Sequence, residues 1–381
     1  MHRTMALAIA VLLTLSVLVS CGGGWIVDDA MKTTITFAGN GATSGEMEVQ
    51  EVGKGIPTRI SANCFGKTDL DFIGWNTEPD GSGTEYLDGQ FVSITENITL
   101  YAQWGIFLTD GMTSWSGDNK YVLNSDITYE SRVSVSNSPT LVLRDGYTLN
   151  ATNGISVDEY NSLTITAQGA GTGKLIASAT YWNTGIGGQN CEGTGTIIIN
   201  GGTVYAYGGG DCPGIGASDE GSVGTIIING GTVYAYGGQY AAGIGSGTAP
   251  YGGGSITING GTVNAFGGGL GAGIGTGTEH SYNISLVIND GTVTATGGSG
   301  GAGIGGGFCG QGIDVTINGG TVIATGGEYN SSFGMGIGNG FGSSSDGTLT
   351  LGPGVALQVS TDNTDWSAYD GTTRTRYMKT I

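Results

Sequence analysis

Basic residues and histidine are what this chain has least of. It carries 12 Lys plus Arg against 31 Asp plus Glu, a formal net charge of −19, and no Lys or Arg stands between Lys174 and Arg374. A surface of that sign repels phosphate backbones and anionic headgroups, which excludes nucleic acid as a partner. Histidine occurs only at His2 and His280, and Cys21, Cys64, Cys191, Cys212 and Cys309 form no Cys-x-x-Cys pair, so zinc has no ligand set. No metal or other cofactor is expected, although backbone carbonyls at glycine-rich corners could hold a structural Ca2+ that no side chain announces. Glycine supplies 78 of 381 residues and the repeats keep no 3.6-residue apolar period, which excludes a helical protein. Without a strict G-X-Y phase collagen is excluded too. With 11% of residues charged, the chain is no disordered polyelectrolyte.

What is present is one motif written five times between Gly185 and Gly340, roughly [TS]-[ILV]-x-I-N-[GD]-G-T-V-x-A-x-G-G-…-G-I-G. Its Asn falls at Asn200, Asn229, Asn259, Asn289 and Asn318, a period of 29 or 30 residues. The Ile of GIG keeps the same beat at Ile186, Ile215, Ile244, Ile274 and Ile304 and returns late at Ile337. A fixed period of this length, with short β-branched runs and glycine corners, specifies a solenoid.

Comparing the copies separates inside from outside. Ile197, Ile226, Ile256, Leu286 and Val315 are always apolar, as are Ile199, Ile228, Ile258, Ile288 and Ile317, while the position between them drifts between Ile, Val and Thr. A strand alternates faces, so the fixed pair points inward. In the second run Val204, Val233, Val263, Val293 and Val322, and the Ala two residues after each, are inward by the same logic. The GIG isoleucine marks a third, very short strand. Three strands per turn joined by glycine bends describe a coil of a single-chain parallel β-helix. Six or seven coils would make a rod on the order of 30 Å long at about 4.8 Å per coil. The repeated Asn should stack as a ladder at one corner.

Taken in order, residues 1–20 read as a secretion signal, with the apolar run Ala6 to Val19 too short for a comfortable membrane span. It ends in Leu18-Val19-Ser20-Cys21-Gly22, which resembles a bacterial lipobox. That resemblance implies cleavage before Cys21, lipidation of its thiol and a tether over 21–31. Residues 32–104 form a separate unit. Its Phe72-Ile73-Gly74-Trp75-Asn76-Thr77, Asp80-Gly81-Ser82-Gly83-Thr84-Glu85-Tyr86 and Asn97-Ile98-Thr99-Leu100-Tyr101-Ala102-Gln103-Trp104 resemble the internalin-type B repeat, or Listeria–Bacteroides repeat. The first hairpin, at Gly39-Asn40-Gly41, is more open than that pattern. The resemblance implies a small β-grasp-like module of cell-envelope proteins, a spacer or adhesion module rather than a catalyst. Phe72, Trp75, Tyr86, Leu100, Tyr101 and Trp104 can supply its core.

Residues 105–184 read as irregular N-terminal coils and cap, 185–345 as the regular repeats, and 346–381 as a last coil and cap with Trp366, Tyr369 and Tyr377 available to plug the end. The GG-T-V-x-A-x-GG repeats resemble bacterial surface β-helix proteins often described as carbohydrate-binding.

Parallel β-helices also carry polysaccharide lyases and hydrolases, which need two or three stacked carboxylates and a base. The solenoid's acids, among them Asp211, Asp219, Glu220, Asp290, Asp314 and Glu328, occupy mostly different phases. Asp219-Glu220 reads as a solvated turn and His280 as a surface residue, so no catalytic or metal-ligating residue is expected. Cys191 and Cys309 share a phase, but four coils set them about 19 Å apart, beyond disulfide reach; Cys191 with Cys212 is conceivable.

Binding has better material. The outward positions of the second strand carry Tyr205 and Tyr207, Tyr234 and Tyr236, then Asn264 and Phe266. This makes an aromatic grid of about 4.8 Å by 6.6 Å, suited to the apolar faces of sugar rings. Tyrosine also favours outward strand positions with no ligand, stacking on itself. The expectation is a lipid-anchored, monomeric, non-enzymatic protein of the bacterial cell envelope that meets a glycan or a host or neighbour cell-surface ligand. The alternatives are a polysaccharide lyase or glycoside hydrolase on the same scaffold and a purely structural envelope protein.

Overall fold

In the computed structural model the described residues are 32–381 apart from 190–191, 220, 249–251, 279–283, 344 and 346. Among them there is no helix. The lipobox Cys21, together with Cys191, Glu220 and His280, lies outside the described residues.

Three parallel sheets wrap one core. Face one stacks nine strands, from Lys120–Leu123, Thr140–Leu143 and Ser162–Ala167 through Thr196–Ile199 to Leu349–Leu351. Face two runs parallel from Ile127–Tyr129 through Thr203–Tyr207, Thr232–Tyr236 and Thr262–Phe266 to Thr321–Thr325. Face three is made of two- and three-residue strands, from Ser114–Trp115 to Ile337–Gly338. Nine stacked strands correspond to about 40 Å of rod at ~4.8 Å per step, longer than the repeats alone predict. The extra length comes from the irregular stretch, which contributes full coils of other lengths: Tyr121, Leu141 and Ile165 are register partners, 20 and then 24 residues apart.

Identical positions stack on identical positions. Ile197, Ile226, Ile256, Leu286 and Val315 pair coil to coil, and the inward set of both long strands is at most 2% exposed. Burying each such aliphatic side chain is worth about 1.5–3 kcal/mol. Because neighbouring coils bury the same residues against each other, stability accumulates along the rod. Turns are closed by glycine where the backbone demands it. Gly216, the second glycine of its GIG, has φ +135°, and a Cβ there would collide with the Gly245 carbonyl of the next coil.

Both ends are covered. At the start, Trp115 is fully buried and stacks with Tyr121 at 5.8 Å. At the finish, Tyr377–Thr380 turns antiparallel onto Thr321–Thr325 and pairs with Leu357–Ser360, which removes an open edge from face two. Met378, Leu357 and Val359 fill the end of the core. Of the three aromatic rings available there, Tyr369 packs against that core, whereas Trp366 sits under the Lys379 ammonium at 3.8 Å and Tyr377 beside Arg376. Long flexible Met fills an irregular end better than a rigid ring.

Residues 32–104 have their own core, in which Trp75 packs against Phe37, Phe65 and Phe72, and Phe72 against Trp104. Leu100 is in that core, and Tyr101 alternates to the other side of its strand. The last strand, Ile98–Phe107, runs on past residue 104 and pairs in parallel with Lys120–Leu123, through Ile106 with Tyr121 and Phe107 with Val122. The module's sheet and face one of the solenoid are therefore one continuous sheet.

Candidate functional site

The outward side chains of face two form two ring stacks. Tyr205 lies on Tyr234 at 4.8 Å with 7° between planes, and Tyr207 on Tyr236 at 4.8 Å and 4°. Phe266 continues the second stack at 4.9 Å and 9°. The strand register produces this, since Tyr207, Tyr236 and Phe266 are direct partners in a parallel ladder. The inner ring faces are thus spent on one another, and the side chains offer edges and hydroxyls outward. Open ring faces survive at the ends, where Tyr207 meets only Ser178 and Phe266 only Thr296.

The free aromatic surface continues around the adjoining corner. Tyr181 is 80% exposed, Trp182 52% and Tyr240 39%. Tyr181 follows Ser178 in the coil beside Tyr207, and the Ala179 amide donates to the Tyr207 carbonyl at 2.9 Å. Trp182, Asp211, Tyr240 and Leu270 occupy the same step of successive coils, four residues before the GIG isoleucine. Trp182 and Tyr240 stand two coils, or about 10 Å, apart. Tyr181 has φ 55°, in the left-handed region that its equivalent in the next coil meets with Gly210 at φ 43°. A tyrosine there costs about 1–2 kcal/mol, and sheets on both sides hold it in place.

Two acids approach this corner. Asp211 and Asp219 are neighbours across the bend, their backbones both meeting Gly247. Burial raises the Asp211 pKa and the Asp219 charge adds to it. The Asp219 carboxylate accepts from the Thr248 hydroxyl at 2.6 Å. Different repeat phases had suggested that these acids stay apart; the loops on either side of the short face-three strand Ile215–Ala217 bring the two together. Cys212, beside Asp211, is buried, and burial pushes its thiol up to about 12. Among the described residues Cys64, Cys212 and Cys309 are free, and no group of three or more His, Cys, Asp or Glu could hold a metal ion.

Arg132 is a feature that residue spacing did not flag. Its guanidinium donates to the carbonyls of Asn153 at 2.9 Å and Thr184 at 2.8 Å, and to those of Ile155, Gly187 and Gly188. Burial lowers its pKa to about 10. It is a pin between coils, spent on backbone, and not a base facing solvent. Tyr181, Trp182 and Tyr240 were missed because they lie in the loop between strands, where attention to strand alternation does not reach. The signal was visible: Tyr-Trp stands where the later copies carry Gly-Asp, Gln-Tyr, Gly-Leu and Ser-Gly.

Residues 34–103 match the family model of the Listeria-Bacteroides repeat domain. Residues 197–219, 226–248, 256–278, 286–308 and 315–341 match the Beta helix repeat. The architecture is therefore a B repeat followed by a β-helix, the build of a surface-type β-helix protein. Two proteins of Evansella cellulosilytica are similar to parts of the chain. One, named by inference as a Gly-rich membrane protein, is 34% identical over 132 residues, 32% of this chain and 15% of its own length. The other, named by inference as a membrane protein, is 37% identical over 73 residues, 18% of this chain and 11% of its own. The chain thus spans only a small part of these relatives, whose names, with the surface character of the two repeats, point to the cell envelope. No solved structure matches the chain.

Proposed function

We propose that this is a non-catalytic adhesion or carbohydrate-binding protein, held at the bacterial envelope by a lipid on Cys21, with the B repeat as spacer and the β-helix as the presented surface. The observation that carries the reading is the run of exposed aromatic side chains over three consecutive coils: Tyr181 and Trp182, then Tyr207, then Tyr240. Apolar ring faces in water are costly to leave bare, and sugar rings present matching C–H faces with hydroxyls at their rims. The strained Tyr181 backbone supports a binding role, since a glycine would serve the fold there at lower cost. The Tyr205, Tyr207, Tyr234, Tyr236 and Phe266 stacks border this platform and supply edges and hydroxyls.

A glycan array and calorimetry on the protein, with and without Ca2+, test the reading. Saturable glycan binding is expected, weakened at least tenfold by Trp182→Ala with Tyr181→Asn. Asn tolerates the left-handed backbone, so the melting temperature should hold or rise. Absence of any saturable glycan ligand would favour a structural envelope protein.

The Asp211 and Asp219 pair favours one second reading, a glycoside hydrolase, because an acid with raised pKa beside another carboxylate is the hydrolytic arrangement. A reducing-sugar assay separates the two: product release abolished by Asp211→Asn would establish the enzyme.

A further inference from the structure

The continuous sheet that joins the module to the solenoid leaves a cleft between them. Its floor is the outer side of face one in the first coils, where Lys120 and Thr140 pair in register and Val122 pairs with Val142. Its roof is the module's Glu85–Tyr86 strand and Leu87. Three hollows of about 140, 780 and 310 Å3 share Arg144 and Leu87. The chain as a whole is strongly acidic, and this cleft gathers two of its 12 cations, Lys120 and Arg144, with the module acids Glu85 and Asp88 and the solenoid's Asp145.

None of Lys120, Arg144 and Glu85 forms an ion pair at bonding distance among the described residues, although Asp80 also feels the Lys120 charge. Among the described residues neither cation has a carboxylate within 4 Å, although Glu85 feels both electrostatically. The Lys120 ammonium reaches the Gln103 amide oxygen at a long 3.4 Å. Arg144 donates to the Ile73 carbonyl and lies over the Phe107 ring at 5.0 Å, which orients its fork without satisfying it. Asp145, on the same rim, is engaged by the Ala170 and Thr172 amides at 3.0 and 2.8 Å. Burial against the junction raises the Glu85 pKa and lowers that of Arg144. Charges of both signs, partly desolvated and held apart by a gap, are complementary to a ligand carrying both signs.

We propose that this cleft binds a small zwitterion of the α-amino-acid type, its carboxylate on Arg144 and Lys120 and its ammonium on Glu85. Cleft position agrees with ligand sites at domain junctions, walled by two units and lined by few convergent polar groups. Glutamate suits the pair of cations, one carboxylate for each, and Glu85 is left for the ammonium because Asp88 accepts from the Asn63 amide at 2.9 Å and Asp145 from the Ala170 and Thr172 amides. The site is distinct from the aromatic corner and does not depend on the glycan reading.

Titration of the purified protein with L-glutamate, followed by calorimetry, is the test. Saturable binding is expected, with N-acetyl-glutamate and the α-amide of glutamate at least tenfold weaker. Lys120→Gln should weaken glutamate at least tenfold, and Glu85→Gln should bring glutamate down to the level of N-acetyl-glutamate. Arg144→Gln should act like Lys120→Gln, but it also removes the bond to Ile73, so its melting curve is read alongside. Lys120 and Glu85 hold no backbone group in place, and their variants keep the outcome interpretable. No saturable glutamate binding, or galacturonate bound as tightly with the same Lys120 dependence, would overturn the zwitterion assignment.

Discussion

At the scale of the residue, one buried charge shows how this fold tolerates polarity. Arg132 enters the interior between coils without a carboxylate at bonding distance among the described residues, and backbone carbonyls at the Thr184–Gly188 corner take its protons. A flat guanidinium can serve several carbonyls at once, and an ammonium cannot. Arg132→Met should therefore cost about 2–4 kcal/mol, because desolvated carbonyls lose their donors. Arg132→Lys should fall between the two. Guanidinium unfolding measures both, and an Arg132→Met variant within ~0.5 kcal/mol of the parent would show that the carbonyls are satisfied without it. No spacing rule announces such a residue, because its partners lie 21 to 56 positions away and share no motif with it.

At the scale of the element, the corner ladder gives a graded test of what repetition contributes. Each Asn amide donates to the carbonyl oxygen of the Asn one coil earlier, from Asn318 to Asn289 to Asn259 to Asn229 to Asn200, at 2.7–2.8 Å. Asn259 makes two of these bonds and Asn200 one. An exposed hydrogen bond is worth about 0.5–1 kcal/mol net, so Asn259→Ala should lower stability by about twice the loss at Asn200→Ala in denaturant unfolding. Equal losses would mean that the turn conformation of Asn matters more than the ladder. This ladder was legible from five aligned Asn, as were the inward Ile, Val and Ala positions, because a solenoid compares its own copies. The coils before residue 185 were legible as irregular first coils, but not in number or length. Their lengths, set by Tyr121, Leu141 and Ile165 stacking on one another, follow no common period. The aromatic corner was half legible: register fixes the Tyr207, Tyr236 and Phe266 column, while whether rings face solvent or each other depends on rotamers that spacing does not encode. The junction cleft was not legible at all, since Glu85 and Arg144 meet only through the pairing of Ile98–Phe107 with Lys120–Leu123.

At the scale of the whole molecule, net charge and local hydrogen bonding pull the pH dependence of stability in opposite directions. At neutral pH the formal charge of −19 works against a compact rod. Glu85 and Asp211 have raised pKa values because burial disfavours their charged forms. A carboxylate raised on folding binds its proton more tightly in the native state, so acidification from neutrality stabilises the fold as these groups titrate. Asp362 and Asp370 behave the other way. The Thr364 and Asp365 amides hold the first charged, and the Thr373 hydroxyl with the Thr372 and Thr373 amides the second, so both sit well below the usual carboxylate range. Their contribution is present above the unfolded carboxylate value and is lost as pH falls through the lower folded value. Asp362 lies in the turn between Leu357–Ser360 and Ser367–Ala368 and Asp370 in the connection to Tyr377–Thr380, so the C-terminal cap should be the first part to loosen in acid. The melting temperature should accordingly rise from pH 7 to about pH 5 and fall below about pH 4. Added salt should raise it most at pH 7, where screening relieves the largest repulsion. Asp370→Asn should shrink the fall on the acid side and leave the rise unchanged. A melting temperature that declines steadily from pH 7 downward would mean that paired carboxylates outweigh the self-repulsion of this acidic rod throughout.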